Sequence, residues 1–393
     1  MLIGWKSIKA VDRSVLNKCL LDALDKMPNV TLHFNHKLTG ANFDQKTAWF
    51  EQLKRRSGNS ADARPTEIEV SFDFLIGADG AFSATRFHMM KFARLNYYQE
   101  YIDTLWCEFT IQPVNKKPRS LHNRPDNGKD SSKFAISPAH LHIWPAGSFM
   151  FIAIPSLDGT FTCTLFASSA HFASIASSPS ERLPRFFDEY FPGVCPNLIS
   201  ESDLLHQFES NPHLPIISLK CTPYHYQSSA VIIGDAAHAM VPFYGQGMNA
   251  GLEDVRVLFE HLESHNVFDP ATDSSQQSAR RSQALTAYTI HRTPDAQMIN
   301  DLAMGNYAEM SAKVRSPVYK IRKWLEESIS LWLPCSGWRT QYTRVSFENQ
   351  RYSEVARDVR RQGHVLLAGL AFLPVGLGAL TFAAWRLRAW LSR

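Results

Sequence analysis

The stretch AVIIGDAAHAMVPFYGQGMNAGLEDVRVL, residues 230–258, reads as a buried strand, a loop of small residues and a helix. AVIIGDAAH brings an apolar strand to a stop at Gly234-Asp235, and GMNAGLEDVRVLFEHL (247–262) repeats its apolar residues at helical spacing. An Asp at the carboxyl end of a buried strand can accept hydrogen bonds from ligand hydroxyls. Gly245 and Gly247 lack a Cβ, so a flat or anionic ligand can approach the backbone. The N–H groups that open the helix at Gly247, Met248 and Asn249 add donors and the positive end of a helix dipole.

A second strand-to-turn unit lies upstream. In EIEVSFDFLIGADG (67–80) the pattern begins as an alternation and ends as an apolar run, which predicts a strand buried on both faces and closing at Gly77. FLIGADGAFSATR (74–86) then places Asp79-Gly80 in a tight turn before Ser83 and Arg86. Read by itself, Asp79 could simply cap that turn. Earlier still, RSVLNKCLLDALDKM (13–27) has helical spacing, with Asp12 as N-cap and Pro28-Asn29 as stop, and VTLHFN (30–35) alternates like a strand.

Between 104 and 225 the texture changes to LWCEFTIQP, HLHIWP, SFMFIAIP and TFTCTLFA, short β-rich runs that predict an antiparallel sheet layer. Residues 279–330 are helical in pattern, and residues 54–66 and 113–133 read as polar loops. The expected division is therefore 1–103 and 226–265 as two parts of one α/β domain. The β-rich layer is 104–225, the helical region 279–360, and a final apolar segment occupies 365–385.

The chain has 393 residues and a net charge of +4, too balanced for binding nucleic acid through net charge. Its hydrophobic content of 45% excludes disorder over most of the length. Cys19, Cys107, Cys163, Cys195, Cys221 and Cys335 are scattered, which fits reduced thiols facing a cytosol and no zinc motif. The pairs His33/His36 and His140/His142 lack a third ligand nearby, so no metal is expected. No GxSxG motif is present.

The whole string GDAAHAMVPFYGQGMNAGLED resembles the second flavin motif of the flavoprotein aromatic hydroxylases, and within them the kynurenine 3-monooxygenase family. FLIGADGAFSATR is similar to the same hydroxylases' DG motif. The resemblance implies an α/β fold in which a Rossmann-type FAD domain carries a β-sheet substrate layer. It implies FAD as cofactor, NADPH and O₂ as co-substrates, and hydroxylation of L-kynurenine to 3-hydroxykynurenine. Asp235 would hold the ribityl hydroxyls, the backbone at Met248 and Asn249 would face the ring's pyrimidine edge, and Gly234, Gly245 and Gly247 would complete the cofactor-binding stretch. Asp79 and Gly80 would touch the flavin side, and Arg13 and Leu38 would add cofactor contacts. Pro242 and Phe243 would wall the substrate ring. Asn306 and Met310, four apart on one helix face, would line the pocket, and Tyr342 would complete a carboxylate clamp. No residue is expected to act as nucleophile or metal ligand. Two alternatives stay open: a related hydroxylase acting on another aromatic, and a membrane-anchored remnant without chemistry.

Two further expectations concern the ends. The family opens with a GxGxxG turn for the FAD pyrophosphate, and this sequence offers only Gly4 there. Its match begins part-way into the family pattern, which predicts poor folding of the flavin domain, negligible FAD binding and no turnover of kynurenine by residues 1–393 alone. At the other end, VLLAGLAFLPVGLGALTFAAW (365–385) runs 21 residues without a charge, flanked by Arg360, Arg361, Arg386 and Arg388. That is long enough to span a bilayer as a helix, and it predicts a tail anchor in the mitochondrial outer membrane with the bulk facing the cytosol.

Overall fold

Residues 11, 13–53, 66–114, 133–311, 314 and 316–369 are described by the structure, a computed structural model. The chain divides into a unit of Ser7–Arg315 and a second unit built on Ser316–Arg393.

In the larger unit, α1 (Arg13–Leu24) forms as its spacing predicts, but none of its residues is buried. The expected strand over 30–35 does not form. Those residues are irregular, and the strand β1 begins at His36 (His36–Asn42). The reason is pairing, since a strand needs a neighbour. The ladder with β2 (Thr47–Gln52) starts at His36 opposite Gln52, and β3 (Thr66–Ser71) completes an antiparallel sheet β1-β2-β3.

The predicted single strand over 67–77 is two. β3 stops at Ser71, and β4 (Leu75–Gly77) belongs to a different sheet. Ile76 is 41% exposed, against the expectation of burial on both faces. Among the described residues, β4 is the edge of a three-stranded sheet ordered β10-β11-β4. It is followed by α2 (Ala84–Met89), whose Ser83 N-cap hydroxyl accepts from the Arg86 N–H. Gly77 is where strand and helix touch. A Cβ there would lie 2.6 Å from Thr85 Cγ2, and Thr85 is itself buried. Gly77→Ala is therefore expected to lower stability by about 1–3 kcal/mol through overpacking. A urea-unfolding midpoint equal to the parent's would show that α2 can yield.

β5 (Asn96–Ile111), β6 (His142–Pro145), β7 (Met150–Pro155) and β8 (Phe161–Ala167) form the predicted antiparallel layer. β5 begins ahead of residue 104, because Asn96–Ile102 pair with β9. α3 (Ser169–Ala176), α4 (Pro179–Tyr190) and α5 (Glu201–Ser210) are amphipathic helices, and their buried faces join the sheet in one core. Phe109, Phe151, Phe187 and Phe191 meet edge to face or tilted within that core. β9 (Leu214–Thr222) closes the sheet in the order β6-β7-β8-β5-β9.

β10 (His225–Tyr226) and β11 (Ala230–Ile232) return the chain to β4, with β11 running parallel to it. α6 (Asp235–His238), a 3-10 turn at Pro242–Tyr244 and α7 (Gly247–Ser264) follow, then the long α8 (Ser274–Ser311). Val231 and Ile232 of β11, Val257, Leu258 and Leu262 of α7, and Leu285 and Tyr288 of α8 share a second core.

The smaller unit is helical, with α9 (Pro317–Trp332), α10 (Gln341–Phe347) and α11 over 352–369. Most of the expected membrane helix, from residue 370 on, lies outside the described residues. Among the described residues, no helix is long and apolar enough to cross a membrane.

Candidate functional site

β4 and β11 pair in register, Ile76 beside Val231 and Gly77 beside Ile232, and the Ile233 N–H donates to the Gly77 carbonyl at 3.0 Å. The two glycine–aspartate turns therefore leave the sheet from the same edge. The carboxyl edge of a parallel pair is where an α/β sheet receives ligands.

The two aspartates differ in what they hold. Both oxygens of Asp79 are engaged by its own helix. Ser83 Oγ donates to Oδ1 at 2.5 Å, while the Thr85 N–H and Oγ1 donate to Oδ2 at 2.9 and 3.0 Å. Asp79 thus fixes the turn into α2, and the group left open there is Gly80, at φ +80°, with space beyond its Cα. Asp235 is exposed, and its carboxylate has no hydrogen-bond partner among the described residues. It follows Gly234, whose φ of +59° and ψ of −141° belong to glycine alone.

Pro242–Tyr244 lead to Gly245 at φ +68°, which turns the chain into α7. Among the described residues, no side-chain hydrogen bond caps that helix. Its first N–H groups, at Gly247, Met248 and Asn249, have no acceptor within the helix. Met248 and Asn249 are exposed. An uncapped N-terminus beside an unpaired carboxylate and open glycines fits a flat group that carries hydroxyls and an electron-rich edge. These are the features of FAD's ribityl chain and ring.

α8 closes the next wall. The Asn306 side-chain amide donates to the Phe243 carbonyl at 2.7 Å and lies 3.3 Å from Met310 Sδ. Phe243 stacks on Tyr307 with ring centroids 4.2 Å apart and meets Phe166 at 5.0 Å. No motif in the sequence marks Tyr307 as part of this wall. Its hydroxyl donates to the Ser148 carbonyl at 3.1 Å and lies 3.1 Å from Thr104 Oγ1, joining α8 to the antiparallel sheet. Pro242, Phe243, Asn306 and Met310 are thus brought together. Leu38 is half-buried on β1, and Arg13 is exposed at the start of α1. Tyr342 sits on α10 of the other unit, against Phe347.

Two buried arginines were also missed as site residues. Arg86 of α2 donates to the Ala236 carbonyl at 2.6 Å and the Ala81 carbonyl at 2.7 Å, tying the two turns together. Arg292 of α8 pairs with Asp254 of α7 at 2.5 Å. Burial alone would raise the Asp254 pKa, but His238 and Arg292 outweigh it and hold the carboxyl below its ordinary value.

Comparison with known proteins follows the same lines. The FAD binding domain family matches residues 1–297. The chain is 54% identical to kynurenine 3-monooxygenase of Aspergillus terreus over 385 residues, covering 98% of this chain and 73% of that protein. It is also 54% identical to kynurenine 3-monooxygenase of Neurospora crassa over 399 residues, 100% of this chain and 75% of that one. Among solved structures, 2-methyl-3-hydroxypyridine-5-carboxylic acid oxygenase aligns with a TM-score of 0.52 at 15% identity, covering 78% of this chain and 69% of that chain. Klebsiella pneumoniae HpxO complexed with FAD and uric acid aligns at 0.51 and 17%, covering 81% and 67%. At such identities the structural likeness speaks for the fold.

Proposed function

The chain belongs to the kynurenine 3-monooxygenase family, within the wider FAD binding domain family, and from this we propose how its residues divide the work. The protein is an FAD-dependent monooxygenase that hydroxylates L-kynurenine to 3-hydroxykynurenine, with NADPH and O₂ as co-substrates. The flavin, when bound, supplies the redox and oxygen-activating chemistry. The chain's own part is to bind it, aim the substrate ring and keep water out.

When FAD is bound, Asp235 would accept hydrogen bonds from its ribityl hydroxyls. The amides opening α7 at Gly247, Met248 and Asn249, with the positive end of its dipole, would stabilise negative charge on the bound ring. Gly80, Gly234 and Gly245 leave the backbone open to the cofactor. Pro242 and Phe243 form the wall facing the substrate ring, and Asn306 and Met310 extend that wall along α8. The observation that carries this reading is the exposed, unpartnered Asp235 carboxylate beside the uncapped helix. The test is NADPH oxidation by the purified protein with FAD added, followed with and without kynurenine. Kynurenine-dependent 3-hydroxykynurenine formation supports it, and hydroxylation of a different aromatic in preference overturns the substrate assignment. The same assay measures whether residues 1–393 alone suffice.

The apolar run 365–385 anchors the protein in the mitochondrial outer membrane, with the bulk facing the cytosol. Its length, its basic flanks and Trp385 and Trp390 at the interface support this. Deleting 363–393 is expected to move the protein from the membrane to the soluble fraction. Release of the intact chain by alkaline carbonate would defeat the anchor.

A further inference from the structure

Behind the site, buried polar groups form one connected cluster. Asp254 is fully buried, and its two oxygens serve three donors. Oδ2 accepts the Gly234 N–H at 2.7 Å and His238 Nε2–H at 2.5 Å, and Oδ1 accepts Arg292 Nε–H at 2.5 Å. Because a carboxylate only accepts, the short contact places a proton on His238 Nε2. Arg292 is 2% exposed, and its remaining nitrogens donate to the Ala250 carbonyl at 2.9 Å and the Glu253 carboxylate at 2.8 Å. Tyr224 packs its ring 6.0 Å from His238 and 6.2 Å from Tyr288.

The two backbone groups gripped here are informative. Gly234 immediately precedes Asp235, and Ala250 immediately follows Asn249. The cluster therefore holds the chain one residue away from each of the two groups that face the cofactor. Between them the backbones approach closely, since a Cβ on Gly251 would lie 3.7 Å from the Gly234 Cα. Buried ion clusters contribute little net stability over well-packed apolar residues, so stability alone does not account for this one. We propose that Asp254 is a positioning residue for the cofactor-facing surface, supported by Arg292 and His238. It locks the strand-end turn that presents Asp235 to the helix that presents Gly247, Met248 and Asn249.

This rests on the cofactor reading of that surface, and the test separates the two. FAD is titrated into the purified protein by flavin fluorescence, and unfolding of the FAD-free form is measured alongside. Asp254→Asn keeps the shape and loses the charge. It is expected to weaken FAD binding about tenfold or more and to alter the bound flavin's visible spectrum. Leu262→Ala, which opens a cavity further along α7, is expected to lower the unfolding temperature and leave FAD affinity unchanged. Wild-type affinity and spectrum in Asp254→Asn overturn the proposal, and so does an equal loss of affinity in Leu262→Ala. Asp235→Ala is the third arm. If it loses affinity and Asp254→Asn does not, the surface is right and the positioning role is wrong. If Asp235→Ala retains full affinity, the surface itself is misread and the proposal falls with it. Should Asp254→Asn fail to fold, Arg292→Lys serves instead, because a lysine cannot span Asp254 and the Ala250 carbonyl together. It is expected to give the same loss of affinity, and normal binding there overturns the proposal equally.

Discussion

Asp235→Ala is expected to weaken FAD binding roughly ten- to a hundredfold while leaving the fold intact. A hydrogen bond accepted by a charged group contributes about 1.5–3 kcal/mol, and each 1.4 kcal/mol or so is a factor of ten in affinity. The second half of the expectation comes from the structure. Asp235 is exposed and makes no hydrogen bond to its own chain among the described residues. Removing its carboxylate therefore orphans no internal donor, and an exposed substitution of that kind shifts stability by about 0.5 kcal/mol at most. Asp79 is the instructive contrast. Its carboxylate holds Ser83 and Thr85, so Asp79→Ala should lower stability through the loss of that cap. Equilibrium FAD titration and thermal unfolding of the FAD-free protein distinguish the two aspartates. Unchanged FAD affinity in Asp235→Ala would remove this residue from the cofactor surface.

That difference also marks the limit of what the chain discloses before it folds. The strand–loop–helix of 230–258 is legible because three local signals agree: an apolar run, a glycine–aspartate stop and helical spacing. The antiparallel layer is legible for the same reason, since β-rich runs alternate with turn residues. Asp79 shows where local reading stops. It stands four and six positions ahead of Ser83 and Thr85, outside the spacing of an N-cap, and only the structure shows that its carboxylate turns back onto the start of α2. VTLHFN has the alternation of a strand, yet strands exist by pairing, and the ladder begins at His36. Ile76 is exposed for a similar reason, because a sequence does not announce that its strand has one neighbour among the described residues. The least legible features are those joined across long separations. Arg86 meets the Ala236 carbonyl 150 positions away, and Arg292 meets Asp254 38 positions away. Each looks like an ordinary solvated arginine on a helix until the other element is in place.

Arg86→Met is the substitution in which this long-range joining is expected to cost most. The Arg86 side chain is 5% exposed, and its guanidinium lies over the Tyr97 ring at 5.2 Å. Two of its nitrogens satisfy backbone carbonyls, those of Ala81 and Ala236. A buried ion pair can sometimes be replaced by apolar residues at no loss, because both partners are exchanged together. That route is closed here, since a backbone carbonyl cannot be mutated away. Each carbonyl left without a donor costs about 1–3 kcal/mol. The two together amount to a large part of the roughly 5–15 kcal/mol by which a typical domain is stable. Relief from burying the guanidinium offsets some of this, and methionine fills much of the vacated volume, so a net loss of about 2–4 kcal/mol is expected. Arg86→Lys should recover only part of it, because one ammonium on a flexible stem cannot reach both carbonyls with the geometry of a planar fork. The two turns should also come apart as ligand-facing elements. FAD added to Arg86→Met is then expected to raise its unfolding temperature less than it raises that of the parent. Denaturant unfolding of the two variants with and without FAD makes the comparison. Parent-like stability in Arg86→Met would show that water reaches both carbonyls, and that Arg86 does not pin the turns.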